Sequence, residues 1–382
     1  MTSCFARTYC RARLLLLVIP AQFALNAGPA AGLTLDESER LALSADPAIM
    51  ARESRALALQ DQAVADGQLP DPKLLLSVWN VPLDDFSMKK EPMSQLRTGI
   101  SQAFPRGDSL RYRRQRSEWL SKAETAAMRD TRAEIRRKVR ETFLELYYQE
   151  LAMRIIEQTR SLFEQLVDIT RVHYASGRVS QQDVLQAQLE LSRLDDRATG
   201  INQQRDIQRA ALSRWIGEAA WGPIDETFPQ LPALPSRTVI ERSLRDHPAV
   251  KAASATVEAS QQRVSEAREQ YKPGFEAGVQ YLKRFGNNPD GSDKPDQMAA
   301  MLTMDLPLFT EKRQDKRLSA SQQEAEAAMQ IREQTLRELE RTLASDYARW
   351  QRLGEQERLY QERLLREASA NAEAAVNAYQ SG

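Results

Sequence analysis

Two histidines, one acidic loop and a scatter of methionines are the groups in this sequence whose types suggest chemistry. His173 and His247 are the sole histidines. They stand far apart, and two separate imidazoles make no metal site. The stretch NNPDGSDKPD (287–296) holds oxygen ligands of the kind calcium takes. It lacks the EF-hand spacing with a terminal Glu and reads better as a loop between two strands. Met88, Met93, Met298, Met301 and Met304 carry thioethers that suit soft ions such as Cu(I), but packing is the simpler use of them. Asp195 and Asp196 fall on a charged helix face and read as solvated. There is no glycine-rich phosphate loop, nucleophile motif or paired-carboxylate site. The sequence therefore implies no catalytic residue, no metal site and no cofactor, and an enzyme is the least favoured class.

The elements that position these groups are long and polar. Lys+Arg and Asp+Glu both number 53, which argues against a nucleic-acid partner. Charged residues make up 28% and mean hydropathy is −0.56, the signature of long exposed helices rather than a large core. Residues 1–32 read as a secretory signal peptide. Arg7, Arg11 and Arg13 precede the apolar run Leu14 to Ile19, and small residues follow. Both cysteines, Cys4 and Cys10, lie before that run, so the exported chain has no disulfide and no thiolate ligand. No later segment is long and apolar enough for a spanning helix, but an exported chain can also cross a membrane as strands.

The sequence is duplicated. ALSADPAIMARESRALALQDQAVADGQLPDP, from Ala42, matches SLRDHPAVKAASATVEASQQRVSEAREQYKP, from Ser243, at an offset of 201 residues. SQAFPRGDSLR, from Ser101, matches DLPLFTEKR, from Asp305, at an offset of 204. HYASG (173–177) matches AYQSG (378–382) at 205, so a loop of the second copy is expected to be a few residues longer. The division is 33–221 for the first copy, 222–236 for a Pro-rich linker and 237–382 for the second. Each copy predicts a helix of about thirty residues (Asp36 to Gly67; Thr238 to Gln270), two strands, then a very long helix. Asp36 with Glu39 suggests a capping box. The first long helix is expected from Asp108 to Ser176, roughly 100 Å at 1.5 Å per residue. Val139, Leu146, Met153 and Val167 keep a seven-residue grid, as do Met329, Leu336, Leu343, Trp350 and Leu364 with Glu357 the one gap, which predicts coiled-coil packing. After Gly177 the grid resumes with Val184, Leu191 and Ala198. Tyr174 to Ser180 is therefore the tip of a helical hairpin, with Gly177 breaking the helices and Ser180 capping the returning one.

The strands alternate. Phe275, Ala277, Val279 and Tyr281 face one way and Glu276, Gly278 and Gln280 the other. Leu96, Thr98, Ile100 and Phe104 alternate with Arg97 and Ser101. Lys73 to Val81 alternates less cleanly. Trp79, Phe104, Phe275, Tyr281 and Phe285 suggest the aromatic girdle of a lipid-facing band. Four strands cannot close a barrel, since about eight is the practical minimum, so such a chain needs sister subunits.

In this order of elements, and in SQAFPRGDSLR, DLPLFTEKR and YASGRVSQQDVLQAQLELSRL, the chain resembles the TolC-family outer-membrane efflux proteins over nearly all of residues 33–382. The resemblance implies a mainly α fold with a membrane β-barrel portion, located in the outer membrane of a Gram-negative bacterium. It implies a homotrimer whose three protomers give a twelve-stranded barrel set in outer-membrane lipid, continued by an α-helical coiled-coil tunnel through the periplasm. The helical tips form a closable aperture and dock a periplasmic adaptor and, through it, an inner-membrane pump. Tyr174, Gly177, Arg178, Val179, Ser180, Gln181, Asp183 and Val184 correspond to the family's tip and adaptor-contact segment, with Tyr379, Ser381 and Gly382 at the second tip. Asp183 either helps line an acidic ring at the aperture or only complements the helix dipole. NVPLDDFSMKKEPMSQLRTGISQAFPRG looks most like the outer channels of metal-exporting RND systems, with drugs as the second substrate class. Two rivals are an outer channel for type I protein secretion and a soluble periplasmic coiled-coil adaptor or scaffold. The helix that returns from the first tip has no counterpart after Gly382, so the chain is expected to be a truncation or fragment that assembles poorly.

Overall fold

The computed structural model describes residues 32–381, so the signal peptide expected at 1–32 lies, but for its last residue, outside the described residues. The first copy opens with α1 (Leu35–Ser44) and α2 (Pro47–Asp66), where one helix is expected from sequence. The break has a local cause: Asp46 accepts from the Ala48 and Ile49 N–H groups and Pro47 takes the first helical position, so a new N-terminus forms. The second copy repeats the break: α5 (Arg237–Ser243) gives way to a short 3₁₀ turn (Leu244–Asp246), and α6 (Pro248–Glu269) starts afresh after His247. The capping box expected at Asp36 and Glu39 does not form. Thr34 is the cap, accepting from the Glu37 N–H at 3.2 Å, and Glu39 instead bonds Arg140 and Arg136 on the long helix.

Four strands, β1 (Lys73–Trp79), β2 (Gln95–Phe104), β3 (Gly274–Arg284) and β4 (Gln297–Asp305), form one antiparallel sheet in the order β1-β2-β3-β4. The copies join at β2 and β3, where Thr98 faces Tyr281 and Phe104 faces Phe275. The outer strands, β1 and β4, each have one unpaired edge within the chain. The extra length of the second copy lies in the connection from β4 to its long helix (306–313), against 105–108 in the first.

The long helix α3 (Ser109–Ala175) spans 67 residues, roughly 100 Å. It returns as α4 (Gln181–Ile216), and the corresponding helix of the second copy is α7 (Gln314–Leu359), continued through a π-turn (Tyr360–Leu364) into α8 (Leu365–Ser381). A π-turn takes an extra residue per turn, so the seven-residue grid that places Leu364 with Trp350 loses its phase there. Helices pack side by side in the order α2, α3, α6, α7, repeating the strand order. Small residues permit this. Ser121 Oγ donates to the Ala56 carbonyl at 2.8 Å, and Ser117 Oγ to Asp66 at 2.6 Å.

The main core lies where α1, the middle of α3, the end of α4 and the turn Gly217–Trp221 meet. Val139, Phe143, Leu146 and Leu212 are fully buried there. The heptad seam of α3 is thus covered, with Met153 and Val167 also buried. Trp350, Leu353, Tyr360 and Leu364 on the second long helix are exposed among the described residues. Residues 222–236 run without helix or sheet, and Ile224 pairs with Leu33.

Candidate functional site: the hairpin tip and the two-faced sheet

The tip is built by backbone chemistry. At the end of α3 the Gly177 N–H donates to the Tyr174 carbonyl and the Arg178 N–H to the His173 carbonyl, both at 2.9 Å. This pair of bonds is the Schellman motif, which satisfies carbonyls a helix end would leave orphaned. It requires a left-handed residue after the last turn, and Gly177 has φ +71° with open space where a Cβ would sit. Ser180 then caps α4. Its Oγ accepts from the Asp183 N–H at 3.4 Å, while the Asp183 carboxylate accepts from the Ser180 N–H at 2.8 Å and from its hydroxyl at 2.7 Å. The Ser180 side chain first, and its backbone N–H second, hold the Asp183 carboxyl below the usual range.

The structure therefore brings Tyr174, Gly177, Arg178, Val179, Ser180, Gln181, Asp183 and Val184 into one turn between α3 and α4. Tyr174 is exposed, and Val179 and Val184 are half-buried. Asp183 has a cap to make whatever else it does. Tyr379 and Ser381 belong to the last turns of α8, and Gly382 lies outside the described residues. Farther up the hairpin Asp195 is not a bare solvated carboxylate, because Arg160 Nε on α3 lies 2.9 Å from it. Both side chains are about half exposed, so the pair aligns the two helices more than it stabilises them.

The sheet has two chemically different faces. Cross-strand register places Leu74, Leu76 and Val78 with Leu96, Ile100, Phe104, Phe275, Val279, Tyr281, Met298, Leu302 and Met304. These side chains are open to solvent in the single chain, Leu74 by 72% and Leu302 by 71%. A contiguous apolar face of this extent requires a nonpolar surrounding. The opposite face carries Lys73, Ser77, Arg97, Ser101, Glu276, Gln280 and Asp305. Ser101 Oγ and Lys73 Nζ both donate to Glu276, at 2.7 and 3.4 Å.

One sequence expectation changes here. Trp79 shares the polar face with Arg97, not the apolar face of Phe104, Phe275 and Tyr281. The methionines do not converge: Met298 and Met304 lie on the apolar face, Met301 on the other, and Met88 and Met93 in the loop after β1. Among the described residues no three His, Cys, Asp or Glu side chains are grouped to hold a metal ion, and no helix is long and apolar enough to cross a membrane.

At the opposite end of the sheet from its loops, the chain turns through a fixed elbow into α3. Gly107 has φ +49°, and a Cβ there would lie 1.8 Å from Glu269 Oε2. Arg106 Nη1 donates to the Gln270 carbonyl at 2.8 Å. Glu269 is nearly buried, which alone would raise its carboxyl, but the Lys272 ammonium and the Asp108 N–H outweigh burial and hold it below the usual range.

These features agree with what the chain is similar to. The family model of outer membrane efflux proteins matches residues 39–218 and 239–382. Structures of CusC, described with folding and transmembrane channel formation, share the fold at TM-score 0.75 and 17% identity over 99% of this chain and 90% of that one. A membrane protein from Pseudomonas aeruginosa gives 0.76 and 17% over 91% and 83%. The outer membrane protein VceC of Vibrio cholerae gives 0.70 and 21% over 91% and 86%. No curated protein matches the sequence significantly.

Proposed function

Because the chain belongs to the outer membrane efflux protein family, we propose that it is the passive outer-membrane conduit of a tripartite exporter. In this reading three copies pool their strands into one closed barrel, and α3, α4 and α7 continue it as a tunnel into the periplasm. An inner-membrane pump delivers the substrate, and a periplasmic adaptor meets the tips at Tyr174 to Val184 and at Tyr379 to Gly382. The two copies, 33–221 and 237–382, act as quasi-equivalent staves joined by the strap 222–236. Metal cations, and drugs as the second class, are the substrates the sequence resemblance suggests.

One observation carries the reading. The four-stranded sheet is apolar on one face, polar on the other and open at both edges, β1 and β4. In lipid, unpaired backbone groups at an edge are too costly to leave, so the edges must meet those of other copies. The tunnel needs no chemistry of its own: a polar lumen and a helical end that opens are enough. Outer-membrane placement leaves no room for a soluble periplasmic scaffold.

The test is complementation. In a strain deleted for this gene, reintroducing the gene restores resistance to the substrates of the partner pump, and substituting Gly177 and Ser180 together weakens it. Full resistance from a variant whose strands 73–104 and 274–305 are deleted would reject the conduit.

A further inference from the structure

The polar face of the sheet is electrically uneven along its length. At the end nearest the helices its charges are paired: Lys73 with Glu276 at 3.4 Å, and Asp305 with Arg106 at 3.5 Å. At the loop end stand Arg97 and Arg284, on neighbouring strands and adjacent rungs, since Arg97 faces Leu282 while Gln95 faces Arg284. Among the described residues neither guanidinium has a carboxylate within ion-pair distance. Their partners are neutral. Arg97 stacks on the Trp79 ring, 4.2 Å from its centre. The Gln95 amide oxygen, turned toward it, accepts from Nη2 at 2.6 Å and Nε at 3.1 Å. Arg284 donates to the Pro92 carbonyl at 3.0 Å.

A guanidinium held between a ring face and an amide keeps its charge and loses its freedom to swing away. Of the nearby loop acids, Asp84 and Asp85 pair with Lys90, and Asp296, which accepts the Arg284 backbone N–H at 3.2 Å, pairs with Lys283 and Tyr281 of the opposite face rather than with either guanidinium. Arg97 and Arg284 thus leave two uncompensated positive charges per chain at one level of the polar face.

We propose that Arg97, Arg284 and Trp79 form a cationic collar inside the outer mouth of the lumen, which enriches anionic solutes over cations. The inference rests on the channel reading above and departs from its first substrate class, metal cations. The barrel passes acidic organic solutes more readily than free metal cations. Three copies repeat the collar around the lumen, and fixed charge lining a water-filled path sets which ions dwell there.

The chain has no cysteine beyond Cys10, so a single introduced thiol reports its own surroundings. Ser77 faces Arg97 across the β1–β2 pair, and Leu76 is its neighbour on the apolar face. In outer membranes carrying the Ser77→Cys channel, the rate of labelling by an anionic methanethiosulfonate is divided by that of its cationic analogue. At about 10 mM salt, R97Q/R284Q lowers this ratio roughly threefold to tenfold, and R97K/R284K preserves it. With both arginines intact, the ratio falls toward its value in free solution as salt rises to about 1 M, a reading that needs no folded variant. A Ser77→Cys thiol that labels with a ratio indifferent to both arginines and salt overturns the collar and leaves the channel standing. A Ser77→Cys thiol closed to both reagents also overturns the collar. If Leu76→Cys labels in its place, the faces are exchanged and the channel reading fails as well.

Discussion

Glu269, the last residue of α6, accepts the backbone N–H of Asp108 at 2.7 Å, so a side chain of the second copy holds the start of the first copy's long helix. The two copies are 161 residues apart at this point. The bond ties them where strands give way to helices. An elbow of this kind fixes the direction in which α3 leaves β2, since Gly107 admits no side chain against Glu269.

Replacing Glu269 with Gln keeps the volume and removes the charge that Lys272 and the Asp108 N–H recognise. The loss is about 1.5–3 kcal/mol, the usual worth of hydrogen bonds to a charged group. Its pH dependence follows from the sign of the shift. The folded carboxyl titrates below its ordinary value, so its stabilisation is complete above the unfolded pKa, near 4.3 for Glu, and is lost as pH falls through the folded one. Denaturant unfolding should separate wild type from E269Q at pH 7, and the separation should shrink as pH falls below the ordinary carboxylate range.

At the tip, Ser180→Ala removes one side of the reciprocal cap and costs about 1 kcal/mol of local stability. Gly177→Ala forces a side chain into the left-handed region and costs about 1–2 kcal/mol. Amide hydrogen exchange at residues 178–184 should quicken in both variants while the α3 core around Leu146 stays protected. The Asp183 carboxyl is held below its ordinary range, so the tip should fray only in acid, as pH falls below the normal carboxylate range.

Which of these features the sequence shows in advance depends on whether their causes are local. Gly177 and Ser180 are legible because a helix break and a cap are written in single residue types. The strand Phe275 to Tyr281 is legible because its alternation is unbroken. By contrast β1 contains Leu74, Leu75 and Leu76 in a row, which hides its phase, and only pairing with β2 places Trp79 on the polar face beside Arg97. The partner of Asp195 lies 35 residues away on another helix, out of reach of any local pattern. The breaks at Asp46–Pro47 and His247–Pro248 could have been read, since a capping side chain before Pro is a helix start. The π-turn at Tyr360–Leu364 has no residue signature.

The two long helices should respond differently to truncation of their seams. Leu146 is fully buried, so Leu146→Ala costs about 2–5 kcal/mol in the isolated chain. Leu353 is 56% exposed, so Leu353→Ala changes the isolated chain by only about 0.5 kcal/mol or less. If neighbouring copies cover that seam, Leu353→Ala lowers the yield of assembled protein. Chemical unfolding and the assembled fraction, measured side by side, separate the two effects.

The most direct test of the account is whether β1 of one copy meets β4 of the next and the ring closes at three. Single cysteines at Lys73, Leu75 or Ser77, combined in turn with cysteines at Ala299, Met301 or Thr303, are oxidised in outer membranes and resolved by denaturing electrophoresis. The account predicts that at least one pairing gives covalent dimers and trimers with nothing larger. A chain that stays monomeric in every pairing, or a ladder that continues past three, would contradict it.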